Sequence, residues 1–244
     1  MTGTAVSPVL DGIRLVVFDK DGTLIDFHAM WGGWALELGR RLDGATRRPV
    51  AGDVFATIGF DPSSGRVRPG TALAIATMSE IREVVAAVIR RWCPNVAAAR
   101  HAVDGAWFVP DPVTSAVPLA DLPTLFRALR DSGRSIAVAT TDDRASTEAT
   151  LRALGVRDDV AALACGDDGV GVKPDPRMLL AICEAVRVAP AQTAMVGDTL
   201  ADLAMARSAN AGRVVGVRSG VDDVDLLAPT ADLVLASVAD FLIG

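Results

Sequence analysis

Tyrosine is absent from this chain, histidine occurs twice and cysteine three times in 244 residues. Each scarcity closes off a class of chemistry. Cys93, Cys165 and Cys183 are odd in number and lack the close spacing of a metal site, which argues against a disulfide framework and a thiolate centre. They read as buried free thiols in a reducing cytoplasm. Both histidines, His28 and His101, lie between the first and second strand-like runs, so the remainder of the chain must move protons without imidazole. No stretch of 18 or more apolar residues occurs; the longest suspect, residues 71–91, is cut by Glu80, Arg82 and Glu83, so no transmembrane helix is expected. The N-terminus lacks a basic region followed by an apolar core, so no signal peptide is expected either. Clustered basic residues are missing too. The net charge is −6, and pairs such as Arg40-Arg41 and Arg47-Arg48 are scattered, which argues against a nucleic-acid partner. Residues 169–173, GVGVK, lack the full phosphate-loop pattern and a following Ser or Thr.

What is present is a globular composition, 50% hydrophobic and 22% charged. Short apolar runs recur at Leu15 to Phe18, Ile136 to Ala139, Val160 to Ala164, Ala194 to Val196, Val214 to Val217 and Leu233 to Leu235, and predict buried strands. Helical spacing separates several of them, over residues 121–131 (with Asp121 as cap), 143–153, 176–187 and 199–209. This alternation predicts an α/β fold, a Rossmann-like parallel sheet with helices on both faces. One gap breaks the rhythm: more than 100 residues separate the first strand from the second, too many for a single crossover. That segment reads as helical at about 28–43, 52–58, 71–92 and 95–105, and exits through the proline-rich stretch 109–118. It predicts a helical domain, residues 27–113, inserted into a core made of 1–26 and 114–244. All four tryptophans fall inside it.

In open parallel sheets, ligands bind beyond the carboxyl ends of the strands. Asp19 and Asp21 follow the first strand; Thr140, Thr141 and Asp142 the second; Lys173 and Pro174 the third; Asp198, Thr199 and Asp202 the fourth. Asp19, Asp21, Asp198 and Asp202 would repel one another if ionised and unpaired, and a hard divalent cation with oxygen ligands, Mg²⁺, resolves that. A carboxylate can act as a covalent nucleophile toward phosphorus, with Lys173 and the cation stabilising the transferring group. Thr140 and backbone N–H groups suit its remaining oxygens. Asp21 suits proton transfer beside the nucleophile. Taken singly, each motif has an ordinary reading as a turn or helix cap; their conjunction, in order and each after a strand, carries the argument.

The sequence resembles the haloacid-dehalogenase-like hydrolase superfamily, and within it the phosphoglycolate-phosphatase-like members. DKDGT is similar to the first motif, AVATT to the second, VKPDP to the third, and MVGDTLADLAMARSANAG to the fourth. The resemblance implies Asp19 as nucleophile, Asp21 as acid/base, Thr140 with Thr141 and Lys173 at the substrate phosphate, and Asp19, Asp21 (through its backbone carbonyl), Asp198 and Asp202 at an Mg²⁺ site. It also implies that the insertion is a cap; DFHAMWGGW, residues 26–34, enters it and makes His28, Trp31 and Trp34 candidate substrate contacts, although Trp31 and Trp34 read more readily as helix core. Asp21 disfavours carbon–halogen cleavage, for which the family lacks this acid. The absence of lysine from 28 to 110 disfavours Schiff-base phosphonate chemistry. The expected activity is hydrolysis of a small phosphorylated metabolite in the cytoplasm. A sugar-phosphate mutase and a non-catalytic binding protein on the same fold are the alternatives. Whether the chain is a monomer or a homodimer is open.

Overall fold

The computed structural model describes residues 5–111 and 113–243; residues 1–4, Pro112 of the proline-rich stretch, and Gly244 lie outside the described residues. In chain order the strands are β1 (Ala5–Val6), β2 (Leu15–Phe18), β3 (Phe60–Asp61), β4 (Arg66–Val67), β5 (Ser135–Ala139), β6 (Val160–Ala164), β7 (Thr193–Gly197), β8 (Arg213–Val217), β9 (Leu233–Leu235) and β10 (Leu242–Ile243). The helices are α1 (Phe27–Thr46), α2 (Ala51–Ile58), α3 (Ala72–Ile75), α4 (Met78–Trp92), α5 (Val96–Ala106), α6 (Leu122–Asp131), α7 (Arg144–Ala153), α8 (Arg177–Val186), α9 (Leu200–Ser208) and α10 (Val224–Leu227). By contact the chain divides into two units, Met1–Phe27 with Pro112–Gly244, and His28–Asp111.

In the first unit six parallel strands run in the order β6-β5-β2-β7-β8-β9. All four residues of β2 are buried because the pleat sends alternate side chains into two cores. Val16 and Phe18 join Phe126, Val138, Val196 and Phe241 on one face. Leu15 and Val17 join Met178, Ile182, Met195 and Leu203 on the other. Thus α6 covers one face, and α8 and α9 the other. That explains the uninterrupted apolar runs and makes this the α/β parallel-sheet fold that the sequence predicts. Asp121 caps α6, accepting a hydrogen bond from Thr124 N at 3.1 Å.

Three expectations need correcting. The edge strands are not uniformly buried: Ala161 of β6 and Leu233 of β9 are exposed, because only one side of each strand has a neighbour. The helix expected over 71–92 is two helices. Ala76 is extended, and Thr77 and Glu80 form a reciprocal capping box that starts α4 afresh. The segment read as wholly helical also contains the β3–β4 hairpin, whose turn is held by Asp61 accepting from Ser63 and Ser64. A smaller correction concerns the thiols: Cys165 and Cys183 are buried, whereas Cys93 is only half-buried.

In the second unit Trp34 is core. It is buried, its indole N–H donates to Phe108 O at 2.9 Å, and it meets Trp31 and Trp107 edge-on. Trp92 donates to Asp53 at 2.9 Å. Among the described residues, no helix is long and apolar enough to cross a membrane.

Candidate active site

Strand register decides which residues meet. Phe18 of β2 pairs with Val138 of β5 on one side and with Val196 of β7 on the other. The residues that follow these strands therefore leave the sheet at one edge. Asp19 N extends the ladder by donating to Val196 O at 2.8 Å, and Thr140 N does the same to Ala164 O at 2.9 Å. Asp19, Thr140, Lys173, Asp198 and Asp202 are all buried, although each is polar.

Their burial is balanced by pairing. The Lys173 ammonium donates to Asp19 Oδ1 and pairs with Asp202 Oδ1 at 2.6 Å. Asp202 Oδ2 accepts from the Thr199 hydroxyl at 2.6 Å and from Thr199 N at 3.2 Å, so this acid also closes the capping box of α9. Asp198, fully buried, accepts from Thr23 Oγ1 at 3.2 Å and from Val221 N at 2.9 Å. Asp19, Asp198 and Asp202 each offer a carboxylate oxygen, and these oxygens lie within 4.8 Å of one another.

Three buried carboxylates face one ammonium, and the electrostatics reflect that. Burial pushes Asp19 up to about 7; Lys173 opposes the shift, while Asp202 and Asp21 reinforce it. Burial, then Asp19 and Asp202, push Asp198 well above the usual carboxylate range. Burial works against the charge on Lys173, but Asp19 and Asp202 outweigh it and hold its pKa above the ordinary lysine value. A buried, all-oxygen donor set with surplus negative charge fits a hard divalent cation.

Two glycines leave room for Asp198. A methyl on Gly220 would lie 1.8 Å from Asp198 Oδ2, and one on Gly22 2.3 Å from it, at a backbone φ of +87°. Gly220→Ala is expected to cost about 1–3 kcal/mol of stability by overpacking and to weaken divalent-cation binding. Chemical denaturation and cation titration check both; an unchanged unfolding midpoint would mean that Asp198 is not confined in this way.

Asp21 is not in the cluster of three. Its carboxylate sits on Lys20 Nζ at 2.7 Å and 2.9 Å, and the same ammonium pairs with Asp142 Oδ2 at 3.2 Å. Thr140, at the end of β5, accepts from Asp142 N at 3.1 Å, while Thr141 beside it is half-buried. His28 and Trp31 belong to α1 of the second unit, where Trp31 packs on Trp34 with ring centroids 5.7 Å apart.

The strand-end pattern in the sequence points to one lysine at this edge; the structure adds Lys20, Thr23, Gly220 and Val221. Lys20 did carry a signal, a lone basic residue between two acids. Gly220 and Val221 carried none, because nothing local in a loop after β8 shows that its backbone will cradle Asp198.

Residues 13–210 match the family model described as haloacid dehalogenase-like hydrolase. The chain is 29% identical over 205 residues to the phosphoglycolate phosphatase of Rhodospirillum rubrum, an alignment covering 83% of this chain and 78% of that one. A crystal structure of a predicted phosphoglycolate phosphatase from Haemophilus somnus superposes with a TM-score of 0.66 at 18% identity, covering 94% of this chain and 96% of that one. The β-phosphoglucomutase of Clostridium difficile superposes with a TM-score of 0.59 at 16% identity, over 93% of this chain and 92% of that one. At these identities the two structures speak for the fold alone.

Proposed function

This chain belongs to the haloacid dehalogenase-like hydrolase family, and from that premise we propose that it is an Mg²⁺-dependent phosphomonoesterase acting on a small metabolite, of the phosphoglycolate or sugar-phosphate class. The observation that carries the reading is the buried Asp19 carboxylate, held by Lys173 at the end of a central strand and grouped with Asp198 and Asp202. Among the described residues, this is the one group of three acids placed to hold a metal ion, and Lys173 pairs with two of its members.

In the proposed reaction an Asp19 oxygen attacks phosphorus. The Asp19 O–P bond forms, the P–O bond to the leaving group breaks, and the leaving oxygen takes a proton from the Asp21 carboxyl. In the second step Asp21 takes a proton from water as that water bonds to phosphorus, and the Asp19 O–P bond breaks to release phosphate. Lys173 orients Asp19 and faces the charge on the transferring group. Thr140 and Thr141 are assigned to the phosphate oxygens. Asp19, Asp198 and Asp202, with the backbone at Asp21, would hold Mg²⁺, which supplies Lewis-acid stabilisation of phosphoryl charge.

A panel of phosphomonoesters, run with Mg²⁺ and with chelator, tests this reading. Net release of inorganic phosphate is expected. Transfer to a second sugar hydroxyl would instead indicate a mutase, and no turnover on any ester would overturn enzymatic function.

Selectivity is assigned to the insertion, residues 27–113, because the polar side chains at the sheet edge are committed to one another. His28→Ala and Trp31→Ala are expected to change relative rates between phosphoesters by about tenfold or more. Equal scaling of every substrate would remove the insertion from substrate choice.

A further inference from the structure

Of the 24 basic residues in this chain only two are lysines, Lys20 and Lys173; the other 22 are arginines. Both lysines are buried. Each holds one of the two acids of the DKDGT stretch: Lys173 holds Asp19, and Lys20 holds Asp21. The exposed cations are all arginine, and each lysine places its ammonium between two carboxylates: Asp19 and Asp202 for Lys173, Asp21 and Asp142 for Lys20. The physical distinction is one of shape. An ammonium is a compact point charge with three donors, whereas a planar guanidinium needs room for five.

The Lys20 ammonium uses its donors fully. It reaches both oxygens of Asp21 and Oδ2 of Asp142, with the lysine 1% exposed. Asp142 is itself fixed at the start of α7: its Oδ1 accepts from Asp143 N at 2.9 Å and its Oδ2 from Ser146 Oγ at 3.0 Å. The backbone of the loop is braced at the same residue, since Leu24 N and Ile25 N both donate to Lys20 O, at 2.9 and 3.1 Å. A chain of contacts thus ties the Asp21 carboxylate to a helix that packs on the sheet. Burying such an ion pair costs several kcal/mol of desolvation and seldom adds net stability, so its presence needs a reason other than folding.

We propose that Lys20 is a positioning residue: its ammonium, braced by Asp142, holds the Asp21 carboxyl where it passes a proton to the leaving-group oxygen and takes one from the attacking water. The proposal rests on the phosphatase reading above. Lys20 is buried with its ammonium on Asp21 and Asp142, and in this role it acts only through the proton that Asp21 carries. Its signature is therefore leaving-group dependence. A substrate whose leaving group departs as a stable anion needs no proton in the first step; an alkyl phosphate does.

The test compares wild type, Lys20→Met and the double variant Lys20→Met with Asp142→Asn, all with Mg²⁺. The double variant removes both charges of the brace and avoids leaving Asp142 buried alone. The substrates are 2,4-dinitrophenyl phosphate and an alkyl phosphate that the wild type hydrolyses. For the alkyl ester, both variants are expected to lose on the order of 10²- to 10³-fold in kcat, within the range of a general acid–base contribution. For the dinitrophenyl ester, a burst of one dinitrophenolate per site should survive within about threefold of the wild-type rate, followed by slow turnover as Asp19 phosphate waits for an activated water. Equal losses on both substrates, unchanged rates, or failure of both variants to fold would overturn the positioning role. Wild type that shows neither burst nor turnover would overturn the phosphatase reading itself.

Discussion

Asp19→Asn is expected to abolish turnover, lowering phosphate release by on the order of 10⁴-fold or more, as loss of a covalent nucleophile does elsewhere. The substitution keeps the shape of the side chain and removes its charge, so the amide oxygen still accepts from Lys173 while its nucleophilicity is gone. Stability should not suffer. Asp19 is one of three buried carboxylates around one lysine, and neutralising it relieves repulsion with Asp202 and Asp21. The paired measurement is steady-state phosphate release beside thermal unfolding in chelator. Loss of activity with an equal or higher unfolding temperature is the expected result. Hydrolysis at the wild-type rate would remove Asp19 from the chemistry, and a collapsed unfolding temperature would make it structural.

The residues of this site differ in how plainly the sequence announces them. Asp19, Lys173 and Asp198 each follow an apolar run, and parallel strands buried on both faces are readable as such runs, so the strand ends and their polar neighbours could be placed from sequence. Asp202 was readable for a different reason, as an acid in the first turn of a helix. Its second role, as partner of Lys173, depends on a loop 29 residues upstream and has no local signature. Lys20 is hard to place from sequence because a lone lysine after a strand usually reaches solvent; here it is buried with two acids around it. The insertion was less legible than the core. Helical spacing was visible, but the break at Ala76 and the β3–β4 hairpin depend on side-chain caps at Thr77, Glu80 and Asp61, which compete with continuous helix. Least legible of all were the loop groups after β8: Val221 N and the missing side chain of Gly220 decide how Asp198 sits, and nothing local in the sequence says that either faces that acid.

In chelator, stability is expected to fall as pH rises from about 4 to about 7, and Mg²⁺ is expected to remove that fall. Asp19 and Asp198 have folded-state pKa values raised above those of an unfolded chain, Asp19 to about 7. Across that window the folded state binds more protons than the unfolded one, so stability is fully present below the ordinary carboxylate value near 4 and is lost as pH climbs through the folded value. Carboxylates whose pKa is lowered by partners, such as Asp168 beside Arg144, act in the opposite direction, with their contribution present above about pH 5 and lost as pH falls below it, since the unfolded chain binds protons there first. The two effects overlap only near about pH 4–5, and above about pH 5 the fall belongs to the raised acids. A divalent cation among Asp19, Asp198 and Asp202 would favour the ionised acids and compete with protons for them, so its stabilisation should grow with pH and reach several degrees of unfolding temperature above pH 7. Asp198→Asn should flatten the pH slope in chelator and lose most of the Mg²⁺-dependent shift, a readout independent of turnover. Activity should vanish in excess chelator and return with Mg²⁺. Ca²⁺, with longer bonds and higher coordination, should restore on the order of 10²-fold less, because a reacting group misplaced by up to about an ångström loses that much. Full activity in chelator, or no Mg²⁺-dependent shift above pH 7, would show that the carboxylate cluster is no metal site; an unfolding temperature that rises through this window without cation would show that Asp19 and Asp198 are not raised.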